Sequence, residues 1–165
     1  MIILGIDPGK HGGLVALSKE REILLEEVMP EDPLDTYSIL RAFKKEFPSA
    51  IVFLEESHPR PTNGVKAIHT YAFHNGQIDM ILKILELQYE LIHPHIWCRH
   101  MHVGTSADRP KERSRQVVQQ LFPDVRLINP NTPRARTMHE GLMDALLIAE
   151  FGLRKLSIVQ TRHCS

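Results

Sequence analysis

The chain opens on an apolar run, Met1-Ile2-Ile3-Leu4-Gly5-Ile6, that stops abruptly at Asp7. A run apolar at successive positions, rather than at alternate ones, predicts a central strand buried on both faces. Pro8-Gly9 then forces a turn. Gly12-Gly13 leads into a second apolar run ending at Leu17, which predicts an antiparallel partner strand, and Ile23 to Val28 predicts a third strand beyond the charged turn Ser18 to Glu22. Asp35 is placed to cap a helix that carries Ile39, Leu40, Phe43 and Phe47 on one face. Ala50-Ile51-Val52-Phe53-Leu54 repeats the opening pattern, a second central-strand run that stops at a carboxylate, Glu55.

After a turn-rich loop at 58–64, a long helix is predicted from Val65 to Leu87, with Ile68, Ala72, Ile78, Ile81, Leu82 and Leu85 inward. Tyr89 to Ile92 reads as a short strand, and the residues through Trp97 as its end and a turn. Residues 101–109 read as loop, Pro110 to Leu121 as a helix, Val125 to Ile128 as extended, and 129–137 as a polar, proline-rich loop. The last helix is predicted from His139 to about Gly152 or Leu153. Three strands, then helices alternating with two more strands, imply an α/β protein: a mixed five-stranded sheet with helices on both faces. Residues 1–156 are expected to form one domain and 157–165 a flexible tail.

At 165 residues the chain is long enough for one well-built core. No stretch reaches the ~20 apolar residues of a membrane span, the start has no signal-peptide pattern, and Cys98 and Cys164 alone make no disulfide framework. These features predict a cytoplasmic protein. The net charge is zero, but Ile96 to Arg136 holds eight basic residues against three acidic ones. That local excess fits a polyanion-facing side as well as it fits solvated helix faces.

Two adjacent central strands that both end in a carboxylate would set Asp7 beside Glu55 at one sheet edge, because neighbouring strands are only ~5 Å apart. Glu140 and Asp144 share a helical face through their i, i+4 spacing, and His139 lies next to them. A pair of acids near a helix start is also favoured by the helix dipole alone. Four converging carboxylates repel one another unless a cation joins them, and oxygen-only ligation points to Mg²⁺, with Mn²⁺ as substitute. Two such ions ~3.5–4 Å apart are a standard device for cutting phosphodiesters.

Gly5-Ile6-Asp7-Pro8-Gly9, Val52-Phe53-Leu54-Glu55 and the segment His139-Glu140-Gly141-Leu142-Met143-Asp144-Ala145-Leu146-Leu147-Ile148-Ala149 resemble the three acidic motifs of the RuvC-type Holliday-junction resolvases, phage-type RuvC-like nucleases above all. The likeness runs from Met1 to about Arg154. It implies an RNase H-like fold, a homodimer, two metal ions per active site, and paired nicks across a four-way DNA junction. Asp7, Glu55, Asp144 and either Glu140 or His139 would be the metal ligands, with Lys111 steadying the scissile phosphate. Bacterial relatives carry Asp or His three residues before the final Asp, where this chain has Gly141. They also carry an aromatic residue three positions after the strand Glu, where this chain has His58. The DNA-binding set implied is His58, Arg60, Lys66, Arg109, Lys111, Arg113, Arg115, Arg134 and Arg136, whose phosphate contacts give affinity without sequence choice.

Two other readings compete. Asp7-x-Gly9 with Gly12-Gly13 also resembles the first phosphate loop of actin-like ATPases and sugar kinases, although the chain has no second lobe to clasp a nucleotide. A catalytically silent junction-binding module would keep the fold and lose the carboxylates, all four of which are present. The histidines between His93 and His102 are zinc-ligand types, but at a spacing that fits no common structural zinc site. The large apolar residues Tyr71, Phe73 and Met80 exceed the narrow stripe a core-facing helix needs, which makes the 65–87 helix the expected dimer interface.

Overall fold

Side chains of successive strand residues alternate between the two faces of a sheet, so a strand apolar at every position needs cover on both sides. In the computed structural model, which describes residues 1–56, 64–128 and 138–163 apart from the side chains of 66, 67, 71 and 159–163, that cover closes over all but the end residues of the three central strands. The strands are β1 (Ile2–Asp7), β2 (Gly13–Ser18), β3 (Ile23–Val28), β4 (Ile51–Glu55) and β5 (Gln88–Ile92). They form one sheet in the order β3-β2-β1-β4-β5. β1 runs antiparallel to β2 and parallel to β4, and β5 continues the parallel part.

Leu4, Ile6, Leu14, Ala16, Val52 and Leu54 face helices α1 (Pro33–Glu46) and α2 (Val65–Ile84). Ile3, Val15, Leu17 and Phe53 face α3 (Pro94–Met101), α4 (Pro110–Leu121) and α5 (Glu140–His163). The α/β sandwich with helices on both faces is therefore as the hydrophobic pattern predicts.

α5 lies closest to the sheet, and small residues make that possible. A Cβ on Gly5 would sit 2.1 Å from the Ala145 carbonyl oxygen and 2.6 Å from the Ala149 nitrogen. Gly5, Ala145 and Ala149 let the helix backbone rest directly on β1. Glu150, fully buried one residue on, is gripped by the Arg21 guanidinium at 2.6 and 2.9 Å and by Arg154 Nε at 2.7 Å. This clamp joins the β2–β3 turn to α5, since a buried carboxylate needs such partners.

Several local expectations are corrected. Asp32, not Asp35, caps α1: its side chain accepts from the Leu34 N–H at 2.8 Å, with Pro33 in the first turn. Residues 94–101 form a helix rather than a turn, capped by His93 with Pro94 in its first turn, a cap-plus-proline signature legible in the sequence. Ile68 and Ala72 are exposed, so only the C-terminal half of α2 reaches the core, through Ile78, Ile81 and Leu82. α5 does not stop at Gly152 but runs on to His163. Gly152 is small because a Cβ there would strike the Phe53 ring at 2.6 Å and Ile3 at 2.8 Å; it serves helix–sheet contact, not helix termination. Among the described residues no helix is long and apolar enough to cross a membrane.

Candidate active site

The parallel pairing of β1 and β4 sets Ile6 against Leu54, so Asp7 and Glu55 emerge side by side where the two strands end. α5, seated on β1 through Gly5, brings Asp144 to the same edge. The three carboxylates sense one another. Burial raises Asp7 above the usual carboxylate range, opposed by the Gly9 N–H that donates to its Oδ1 at 3.1 Å. Burial, reinforced by the charge of Asp7, pushes Glu55 up to about 8, while the Trp97 indole N–H works the other way. Burial and Asp7 push Asp144 up to about 7, opposed by a hydrogen bond from Ser114. Buried like charges at close quarters disfavour ionisation in this way.

Glu140 stands at the start of α5, half exposed, in an ion pair with Lys111 from α4. This pair brings Lys111 to the carboxylate edge. His139 acts as a helix cap. Its Nδ1 accepts from the Leu142 N–H at 3.3 Å, and its own backbone N–H donates to the Leu127 carbonyl at 2.7 Å. Gly141 is explained by contact, since a Cβ there would lie 2.1 Å from the His11 carbonyl oxygen and 2.4 Å from Gly12 Cα. The β1–β2 turn occupies the space in which a side chain at position 141 would stand.

Each carboxylate is turned toward a protein donor. As the side chains stand, no three His, Cys, Asp or Glu among the described residues are close enough together to hold a metal ion. The chemistry of the set nevertheless fits a hard divalent cation. All its donors are carboxylate oxygens, Asp7 and Glu55 have no cation among the groups that shift them, and a cation would relieve the mutual repulsion.

Three residues that the sequence pattern did not place in the site touch a carboxylate or its partner, or feel the carboxylates' charge. Ser114 Oγ donates to Asp144 Oδ1 at 3.0 Å, and His102 Nε2 lies 3.1 Å from Ser114 Oγ. Cys98, on α3, feels both Asp144 and Glu55, and with burial its thiol is pushed up to about 12. Trp97, on α3, is buried and donates to Glu55 Oε2 at 2.6 Å. No local pattern marks Ser114, His102 or Cys98 in the sequence, because their place beside the carboxylates depends on long-range packing.

The solved structure of Thermus thermophilus RuvC is similar over 94% of this chain and 96% of that one, with a TM-score of 0.61 and 20% sequence identity. The structure of T. thermophilus RuvC in complex with Holliday junction substrate is similar over the same shares, with a TM-score of 0.59 and 17% identity. The fold is RuvC-like, and so RNase H-like. No protein-family model and no curated protein matches the sequence. The sequence resemblance and the three-dimensional one thus meet on the same RuvC-like sheet, whose β1 and β4 ends carry Asp7 and Glu55.

The basic residues are more scattered. Arg109 occupies the cap position of α4 and is exposed. Arg113 donates through Nε to the Ala107 carbonyl at 2.6 Å, and Arg115 Nη1 pairs with Glu112 at 2.8 and 3.0 Å. Lys66 lies in the first turn of α2, with its side chain outside the described set. His58, Arg60, Arg134 and Arg136 lie outside the described residues.

Proposed function

We propose that the protein is a divalent-cation-dependent endonuclease that resolves four-way DNA junctions by a nick in each of two strands. The observation that carries this reading is the meeting of Asp7, Glu55 and Asp144 at one edge of a RuvC-like sheet, where burial raises all three and the charge of Asp7 raises the other two further. The solved relative bound to a Holliday junction supplies the substrate class.

Asp7, Glu55 and Asp144 would hold Mg²⁺ or Mn²⁺, two ions per site, with Glu140 as the fourth carboxylate. Such ions, when bound, set positive charge against the scissile phosphate and make water a competent nucleophile at neutral pH. Lys111, now paired with Glu140, is free to pass to a phosphate oxygen when DNA brings a stronger anion. Arg109 and Arg113 flank it at the start of α4, where helix N–H groups also favour phosphate. His139 caps the first turn of α5, the helix that carries Glu140 and Asp144.

The active form is a homodimer, because a two-fold substrate with two equivalent strands calls for two sites related by the same symmetry. α1 and α2 support this by leaving an apolar groove of about 600 Å³ lined by Leu34, Tyr37, Phe73, Met80 and Ile84. Phe73, Met80 and Ile84 are 57, 58 and 62% exposed, which is costly for a lone chain in water. Tyr71, the third interface residue expected, has a side chain outside the described set.

The test is cleavage of a synthetic four-way junction, a linear duplex and an RNA–DNA hybrid, each with and without Mg²⁺. The proposal expects Mg²⁺-dependent nicks in the junction alone, paired across the crossover. Equal cutting of all three substrates, or ATP turnover without cutting, would overturn it.

A further inference from the structure

The carboxylates that would carry the cation do not stand by themselves. Two of them are tied to buried groups on α3 and α4, and those groups are tied to one another. Trp97, the chain's only tryptophan, donates its indole N–H to Glu55 Oε2 at 2.6 Å. Ser114 donates its hydroxyl to Asp144 Oδ1 at 3.0 Å. A serine hydroxyl has one proton, so with that proton given to Asp144 the contact from His102 Nε2 at 3.1 Å needs a hydrogen on the imidazole. The His102 ring in turn meets the Trp97 ring edge to face, with centroids 5.7 Å apart and planes at 78°. The chain Glu55–Trp97–His102–Ser114–Asp144 therefore links two repelling carboxylates through one packed unit. Trp97 and Ser114 are both buried, so neither contact is a solvent-exposed accident. Groups that grip one oxygen of a ligating carboxylate set its orientation and with it the affinity for a metal.

We propose that Trp97 and Ser114, with His102 behind Ser114, are positioning residues that hold Glu55 and Asp144 ready for a divalent cation. This rests on the nuclease reading above. Each donor engages one oxygen of its carboxylate and limits the side chain's swing, so the ion meets a preset pair rather than two groups driven apart by their charges.

The test uses the full chain, as wild type and as Trp97→Phe and Ser114→Ala. The first substitution keeps an aromatic ring and removes the N–H; the second removes only the hydroxyl. Mn²⁺ affinity is read by titration calorimetry, junction affinity by binding without metal, and folding by thermal melting. Each variant is expected to bind Mn²⁺ about tenfold more weakly or worse. Junction affinity should stay at the wild-type level, and cleavage should recover in part at saturating metal. In the wild type, Mg²⁺ should change the emission of Trp97 with the midpoint that a calorimetric titration of Mg²⁺ gives, a readout that needs no variant to fold. Variants that bind Mn²⁺ as tightly as wild type, or a Trp97 emission indifferent to bound metal, overturn the positioning role while the nuclease reading stands. A wild type that takes up no Mn²⁺ and leaves junctions uncut overturns both.

Discussion

Gly5 and Ala145 touch backbone to backbone: a methyl group on Gly5 would lie 2.1 Å from the Ala145 carbonyl oxygen. This contact sets the height of α5 above β1 and so the approach of Asp144 to Asp7. Gly5→Ala has no flexible neighbour to displace and must push the helix backbone away. It is expected to cost about 3 kcal/mol, the range of an overpacked core, and to weaken Mn²⁺ binding along with stability. Chemical denaturation beside metal titration checks this; wild-type stability in Gly5→Ala would show that the helix does not rest on β1.

The raised carboxylates give stability a pH dependence whose sign is set. Glu55 at about 8 and Asp144 at about 7 both lie above their unfolded values of 4.5 and 3.8, so the folded chain binds more protons than the unfolded one between those limits. The metal-free protein should therefore be most stable below about pH 4 as far as these groups go, and should lose that contribution as pH rises through 7 to 8. Melting across pH 5 to 8.5 should show a fall of about 5 °C or more. Saturating Mg²⁺ should remove most of it, because a bound cation stabilises the ionised carboxylates. A melting temperature that climbs with pH in the absence of metal would contradict the shifts.

Glu140 and His139 separate by what each now holds. Glu140→Gln removes a charge from the site and from Lys111, and should cut activity by about 100-fold while leaving the fold intact. His139→Ala removes the α5 cap and should cost about 1 kcal/mol of stability with most activity kept. Melting and cleavage rates for the two variants decide the matter; the reverse pattern would give the ligand role to His139.

The exposed apolar face of α1 and α2 should carry the dimer. Phe73→Glu combined with Met80→Glu places charges where a second chain would pack. Sedimentation should show a dimer for the wild type and a monomer for the double variant, with cuts then falling in one strand rather than two. A wild type that stays monomeric on junction DNA would contradict this.

The sheet and the three carboxylates were legible in the sequence because their signals are local. An apolar run ending in one acid marks a buried strand tip at Asp7 and at Glu55, and Glu140 and Asp144 declare a shared face by spacing alone. The parts that were not legible depend on packing at long range. Gly152 looked like a helix end until Phe53 and Ile3 appeared beside it. α3 was hidden by a run of histidines that suggested ligands, although His93 and Pro94 carry an ordinary start signal. Ser114 stands mid-helix among polar neighbours, and only the approach of α4 to α5 gives it Asp144 as a partner. The inward face assigned to α2 failed at Ile68 and Ala72 because an apolar stripe does not say whether its own core or a second chain will cover it.

Asp7 is the residue on which the site turns, because its charge raises both Glu55 and Asp144. The most direct measurement is single-turnover cleavage of a four-way junction in Mg²⁺ by wild type and by Asp7→Asn, with binding of the same junction followed in parallel. Wild type should nick two opposed strands at symmetric positions. Asp7→Asn should bind the junction as well or better, having one negative charge fewer against phosphate, and should lose cleavage by at least about 1000-fold. Cleavage by Asp7→Asn near the wild-type rate would contradict the carboxylate site.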